Sequence, residues 1–175
     1  MTVTAKDIYA LGQKYNVAPG FIRAIMVVES DAQECAWRTE VAYRYLWNVH
    51  SDSPFRSLKP EEINNEKAPA DFPYLPSIGS RNTEWMGQQA SWGPMQIMGA
   101  VAREHGFRGY FPELCGVIGV QYGTLHLSKL MSRFFDKHGY AGVAAAYNAG
   151  SVRFSGGHFE NQGYVDKVLN VFRDM

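Results

Sequence analysis

Thiols are scarce in this sequence. Cys35 and Cys115 are the two cysteines among 175 residues. Neither has a second thiol or a histidine at ligand spacing, which excludes a cysteine-built zinc site. Two buried thiols are expected, with pairing in an oxidising compartment as the alternative. His50, His105, His126, His138 and His158 form no spaced cluster, so neither a metal nor a cofactor is expected. Surplus charge is missing too, since 17 basic residues balance 17 acidic ones. A nucleic-acid partner would need an excess of Lys and Arg to displace counterions, so none is expected. Long apolar runs are also lacking. The strongest, Ala24 to Val28 and Val143 to Ala146, are far too short to cross a bilayer, and no membrane insertion is expected. The opening Met1-Thr2-Val3-Thr4-Ala5-Lys6-Asp7 has no basic segment leading into an apolar run, the mark of a secretory signal. Synthesis in the cytoplasm is therefore expected, with delivery by another agent to any target beyond the membrane.

What is present suits one globular unit. A hydrophobic share of 46% supports a real core, and the length fits a single, monomeric domain over 1–175. Thr4, with Asp7 three residues on, predicts a capping box opening a first helix that places Ile8, Leu11 and Tyr15 on one face. Pro19 suits the first turn of a second helix, whose face carries Ile22, Ile25, Met26 and Glu29. A third helix is predicted over Glu40 to Trp47. Residues 48–90 then hold five of the eight prolines and read as a long loop insertion, with a short helix after Pro60 or a small hairpin. Helical pattern resumes at Met95, Met98 and Val101 and stops near Gly106. A longer helix is predicted from Pro112 towards Met131, a shorter one from Ala141 to Asn148 ended by Gly150, and a last one from about Gly163. The fold class is mainly α.

Glu29 ends an otherwise apolar helical face, after Ile25-Met26-Val27-Val28. A carboxyl group keeps its proton near neutral pH when it is desolvated or held in negative potential, and the C-terminal end of a helix supplies the latter. Such a group can act as a general acid. The local pattern equally describes a glutamate that reaches water.

The rest of the chain separates those readings. Glu29-Ser30 is followed by Ser91-Trp92-Gly93-Pro94-Met95-Gln96-Ile97-Met98, then by Ala145-Ala146-Tyr147-Asn148-Ala149-Gly150, then by Tyr164-Val165. This ordered set resembles the soluble lytic transglycosylases, which share the lysozyme-like fold of goose-type lysozyme. Their motifs are an E-S pair, G-L-M-Q, A-Y-N-A-G, and a late tyrosine followed by valine, and the likeness spans nearly the whole chain. The resemblance implies that Glu29 is the single acid and base, next to Ser30. It implies that Gly93, Met95 and Gln96 line the sugar groove, and that Tyr147 and Asn148 face the glutamate and substrate. Tyr164 would close the site from the last helix. In physical terms, Gly93 permits close backbone approach to a sugar, and Gln96 offers a donor and an acceptor to an N-acetyl group. Pro94 departs from the family's leucine, and the stretch between Glu29 and Gly93 is long for the family. Trp85 and Trp92 are candidate sugar platforms, whereas Trp37 and Trp47 are expected in the core.

The implied partner is the peptidoglycan glycan strand. The implied reaction cuts the β-1,4 bond between N-acetylmuramic acid and N-acetylglucosamine, leaving a 1,6-anhydro ring. A hydrolytic muramidase of the same fold is the alternative and requires a second carboxylate. Glu40 is the leading candidate, ahead of Asp31, Glu34 and Glu84. A non-catalytic wall-binding or virion module would be expected to lose Glu29 or Gln96, and both remain. A small wall-cutting enzyme without a signal peptide looks like a phage endolysin that acts in the periplasm after release.

Overall fold

The computed structural model describes residues 2–175. It is mainly helical, with α1 (Ala5–Tyr15), α2 (Pro19–Ser30), α3 (Arg81–Gln88), α4 (Gly99–Glu104), α5 (Val117–Ala149) and α6 (Gln162–Arg173). Short strands are interspersed: β1 (Trp37–Thr39), β2 (Trp47–Asn48), β3 (Ser53–Pro54), β4 (Ala90–Trp92), β5 (Ile97–Met98), β6 (Phe154–Ser155) and β7 (His158–Phe159).

Local chemistry sets the first two helices. Thr4 Oγ1 accepts the Asp7 N–H at 3.2 Å while Asp7 Oδ2 accepts the Thr4 N–H at 2.9 Å, so two otherwise orphaned donors are satisfied. Asn16 ends α1 in the left-handed region. Pro19 opens α2, and Phe21, Ile22, Ala24, Ile25 and Met26 are buried along it. Those side chains form one core with Val120, Leu127 and Leu130 from the first arm of α5, with Val143, Ala144 and Ala146 from its second arm, and with Val168 from α6. Each large apolar side chain buried there contributes about 1.5–3 kcal/mol. The two arms of α5 are the two helices predicted separately from the sequence; Gly139, at φ 59°, joins them through a kink. The first arm starts at Val117 rather than Pro112, because Phe111–Leu114 forms a 3-10 turn and Gly116 breaks the path at φ 66°.

A second half of the molecule is built on the antiparallel sheet β1-β4-β5, with Trp37 opposite Trp92 and Ser91 opposite Met98. Here the structure corrects the predicted third helix. Glu40–Trp47 is not helical: the Glu40 N–H donates to the Gln89 carbonyl at 2.7 Å, and Trp47 belongs to β2. Val41, Tyr43, Tyr45 and Trp47 are weak helix formers, and pairing with distant strands overrides their spacing. Within the 48–90 excursion the short helix expected after Pro60 and the small hairpin both appear, and α3 is added to them. These are the β2–β3 hairpin, a 3-10 turn at Pro60–Glu62, and α3, capped by Ser80 accepting from the Thr83 N–H.

A buried polar network holds this half together. Arg103 and Glu84, both shut off from solvent, pair at 2.8 and 2.9 Å through Nε and Nη2. Arg103 Nη1 donates to the carbonyls of Phe107 and Gly109. Gln88 Nε2 donates to Glu84 and to the Trp47 carbonyl, while Gln88 Oε1 accepts from the Trp47 N–H. Glu84 is thereby excluded as a second catalytic carboxylate. Among the described residues, no helix is long and apolar enough to cross a membrane.

Candidate active site

The two halves meet at the C-terminal end of α2. Glu29 lies half-buried in the last turn, and the chain leaves the helix through Asp31 in the left-handed region at φ 54°. One residue beyond Glu29, Ser30 Oγ donates to the Pro94 carbonyl at 2.8 Å, tying the helix to the turn between β4 and β5. That turn is tightly specified. Gly93 has φ 68°, and a Cβ there would lie 2.1 Å from the Leu114 carbonyl oxygen, so no larger residue fits. The close approach that Gly93 permits is thus to the backbone before α5.

Gln96 was expected to meet substrate, yet its amide is spent internally. Nε2 donates to the carbonyls of Ala36 at 3.0 Å and Gly93 at 2.9 Å, and Oε1 accepts from Ser91 Oγ at 2.8 Å. With both donor hydrogens used, Gln96 fastens β5 to the segment before β1. Met95 is likewise fully buried, packed on Gly123, while its carbonyl accepts the Tyr147 hydroxyl at 2.7 Å.

Two helices bring the tyrosines in. Tyr164 Oη, from α6, donates to Glu29 Oε1 at 2.5 Å across 135 residues of sequence. Asn148, exposed at the end of α5, accepts from Asn161 Nδ2 at 2.9 Å. The same Asn161 amide donates to the Ala145 carbonyl at 3.1 Å. These bonds join the end of α5 to the start of α6 and so position Tyr164. Burial raises the pKa of Tyr147 and of Tyr164, and the charge of Glu29 adds to both. Each phenol is therefore a donor throughout the working pH range.

Burial also pushes the Glu29 carboxyl above the ordinary glutamate value. The Tyr164 hydrogen bond and the charge of Arg38 pull it down, and the charge of Glu40 pushes it up again, with a net rise. The structure therefore brings Glu40 within electrostatic reach of Glu29. Its carboxylate is held by Arg38, with Nε 2.6 Å and Nη2 2.5 Å from Oε1. Arg38 was not singled out in the sequence. The alternation along β1 carries the signal: Trp37 and Thr39 face one side of the sheet, Arg38 and Glu40 the side of Glu29.

The tryptophans are arranged differently from expectation, Trp47 excepted. Trp37 is 62% exposed and Trp85 only 1%. Trp85 Nε1 donates to the Asn65 carbonyl, and its ring packs on Phe72 within the excursion. Trp92 is sandwiched between Trp37 at 5.9 Å and Phe111 at 5.8 Å, which leaves Trp37 with the open ring face. Trp37, Thr39, Ala90 and Trp92 wall an apolar cavity of about 240 Å³ on the reverse side of the sheet. Trp37 is exposed because β1 is an edge strand with nothing packed over it. Of the weaker carboxylate candidates, Asp31 is exposed and Glu34 accepts the Val3 N–H at 2.9 Å.

The arrangement is one carboxyl of raised pKa at a helix end, hydrogen-bonded by a phenol from the last helix and near an Arg–Glu pair across a junction of two halves. No family model, curated protein or solved structure matches the chain.

Proposed function

We propose that the chain is a peptidoglycan lytic transglycosylase with a lysozyme-like fold. The observation that carries this reading is Glu29 itself: a half-buried carboxyl with a raised pKa, hydrogen-bonded by Tyr164 at 2.5 Å. Burial favours the protonated carboxyl, and the phenol stabilises the anion left once the proton is given away. Those opposed effects suit a group that must act as acid and then as base.

In the proposed reaction Glu29 donates its proton to the glycosidic oxygen of the departing N-acetylglucosamine as the bond to C1 of the muramic acid residue breaks. The resulting Glu29 carboxylate takes the proton of the muramic acid 6-hydroxyl while O6 bonds to C1. Glu29 ends reprotonated, no water is consumed, and the product is a 1,6-anhydro ring. One carboxyl suffices, an exception to the two-carboxylate pattern. Tyr147, Ser30, Gly93, Met95 and Gln96 support the site from behind, and Asn148 positions Tyr164 through Asn161.

Glu40 favours a second reading, hydrolysis, in which it would activate water. Its Oε1 is engaged by the Arg38 guanidinium, and we prefer the anhydro-forming route. Glu40→Gln separates the two, since it abolishes hydrolysis and leaves the preferred reaction within a few-fold of wild type. The setting we propose is phage-driven lysis, with the enzyme acting on the wall after release from the cytoplasm. Loss of turbidity in permeabilised Gram-negative cells, with Glu29→Gln as control, tests the activity. Equal clearing by both proteins rejects it.

A further inference from the structure

The proposed mechanism leaves Cys35 and Cys115 unused, and the structure places them together. Cys35 lies between α2 and β1; Cys115 lies between the Phe111–Leu114 turn and α5. The Gly116 N–H donates to the Glu34 carbonyl at 2.9 Å, so the residues beside the two cysteines are already tied backbone to backbone. The two thiols are neighbours, close enough for Cys35 to perturb the ionisation of Cys115. Both are free, with Cys35 exposed and Cys115 partly so, contrary to the expectation of two buried thiols. Neighbouring cysteines flanking a backbone–backbone hydrogen bond are placed where a disulfide can close.

We propose that Cys35 and Cys115 are a redox-modification site that closes to an intramolecular disulfide when the protein meets a disulfide oxidant. The Cys35 thiolate attacks a small-molecule disulfide such as oxidised glutathione, forming a mixed disulfide and expelling one glutathione thiolate. The Cys115 thiolate then attacks the Cys35 sulfur and expels the second. Two protons leave the protein thiols, two electrons reduce the oxidant to two glutathione thiols, and one S–S bond forms. Burial and the neighbouring Cys35 push the Cys115 thiol up to about 11. The second displacement is therefore the slower one and quickens as pH rises. A reducing cytosol keeps the pair open, and an oxidising space closes it.

The bridge would join residues 80 positions apart (115 − 35). That loop holds the sheet β1-β4-β5, α3, α4 and the whole excursion, so the cross-link fastens the second half of the molecule to the head of α5. A link over so long a loop restricts the unfolded chain, and the expected rise in Tm is roughly 5–15 °C. The proposal rests on the backbone bond that sets the two cysteines side by side and not on the proposed activity.

The test compares the full chain reduced with dithiothreitol and equilibrated with oxidised glutathione near pH 8. The expected result is two titratable thiols before oxidation and none after, a mass lower by two hydrogens, and a peptide joining Cys35 to Cys115. Tm should rise in wild type and stay fixed in Cys35→Ala and in Cys115→Ala. Stable glutathione adducts, disulfide-linked dimers, thiols that remain titratable, or a bridge that leaves Tm unchanged would overturn the proposal.

Discussion

Replacing Tyr164 by phenylalanine removes a single oxygen from the candidate site. The ring remains packed against the helical core, so the change isolates the 2.5 Å bond to Glu29. A hydrogen bond to a charged acceptor is worth about 1.5–3 kcal/mol, which corresponds to roughly a 10- to 150-fold change in an ionisation equilibrium. Its sign is fixed by the donor. The phenol favours the carboxylate and opposes burial, so its loss lets the carboxyl rise further. Glu29 must enter the reaction protonated, and the alkaline limb of the activity profile should therefore move up by about one to two pH units. The turnover rate should fall roughly 10- to 100-fold, because the anion formed on proton donation loses its donor. The assay is muropeptide release from purified sacculi at saturating substrate between pH 4 and 9. Superimposable profiles and equal rates for the two proteins would refute the role given to Tyr164.

Other perturbations test the frame around it. Glu84→Gln leaves the Arg103 guanidinium buried without a counter-charge, at a cost of about 3–5 kcal/mol, and calorimetry should show Tm lower by roughly 6–20 °C. Glu29→Gln should stabilise the protein at neutral pH. The folded pKa of Glu29 lies above its unfolded value, so the folded chain holds more protons in that window and wild type loses stability as pH rises through it. The variant's Tm advantage should thus be clear near pH 7 and close at about pH 4, and a constant gap would contradict the sign. Gly93→Ala places a methyl against the Leu114 carbonyl at a left-handed position, and soluble yield or Tm should fall sharply.

Locally encoded features were legible in the sequence. The capping box at Thr4, Pro19 at the start of α2, the buried face Ile22-Ile25-Met26 and the apolar stripe of α6 all appear in the structure. Features set by distant contacts were harder to read. The spacing within Glu40–Trp47 suggested a helix, but β1 and Gln89 capture that chain. α3 was hidden in a proline-rich stretch although Ser80 gave it a cap signal. In the site, Glu29 stood out locally, but nothing periodic linked it to Tyr164. Only the ordered motifs suggested that pair. The internal partners of Gln96, at Ala36 and Ser91, had no signal in the sequence, because they depend on how the sheet meets the helix. Trp37 and Trp85 exchanged expected places for the same reason: exposure of a tryptophan depends on what packs over it.

The most direct measurement is mass spectrometry of peptidoglycan digested by wild type and by Glu29→Gln. The account predicts muropeptides ending in 1,6-anhydro-N-acetylmuramic acid from wild type and none from the variant. Reducing ends would contradict the anhydro-forming route, and no release by wild type, or equal release by both proteins, would contradict the assignment of Glu29 as the acid and base.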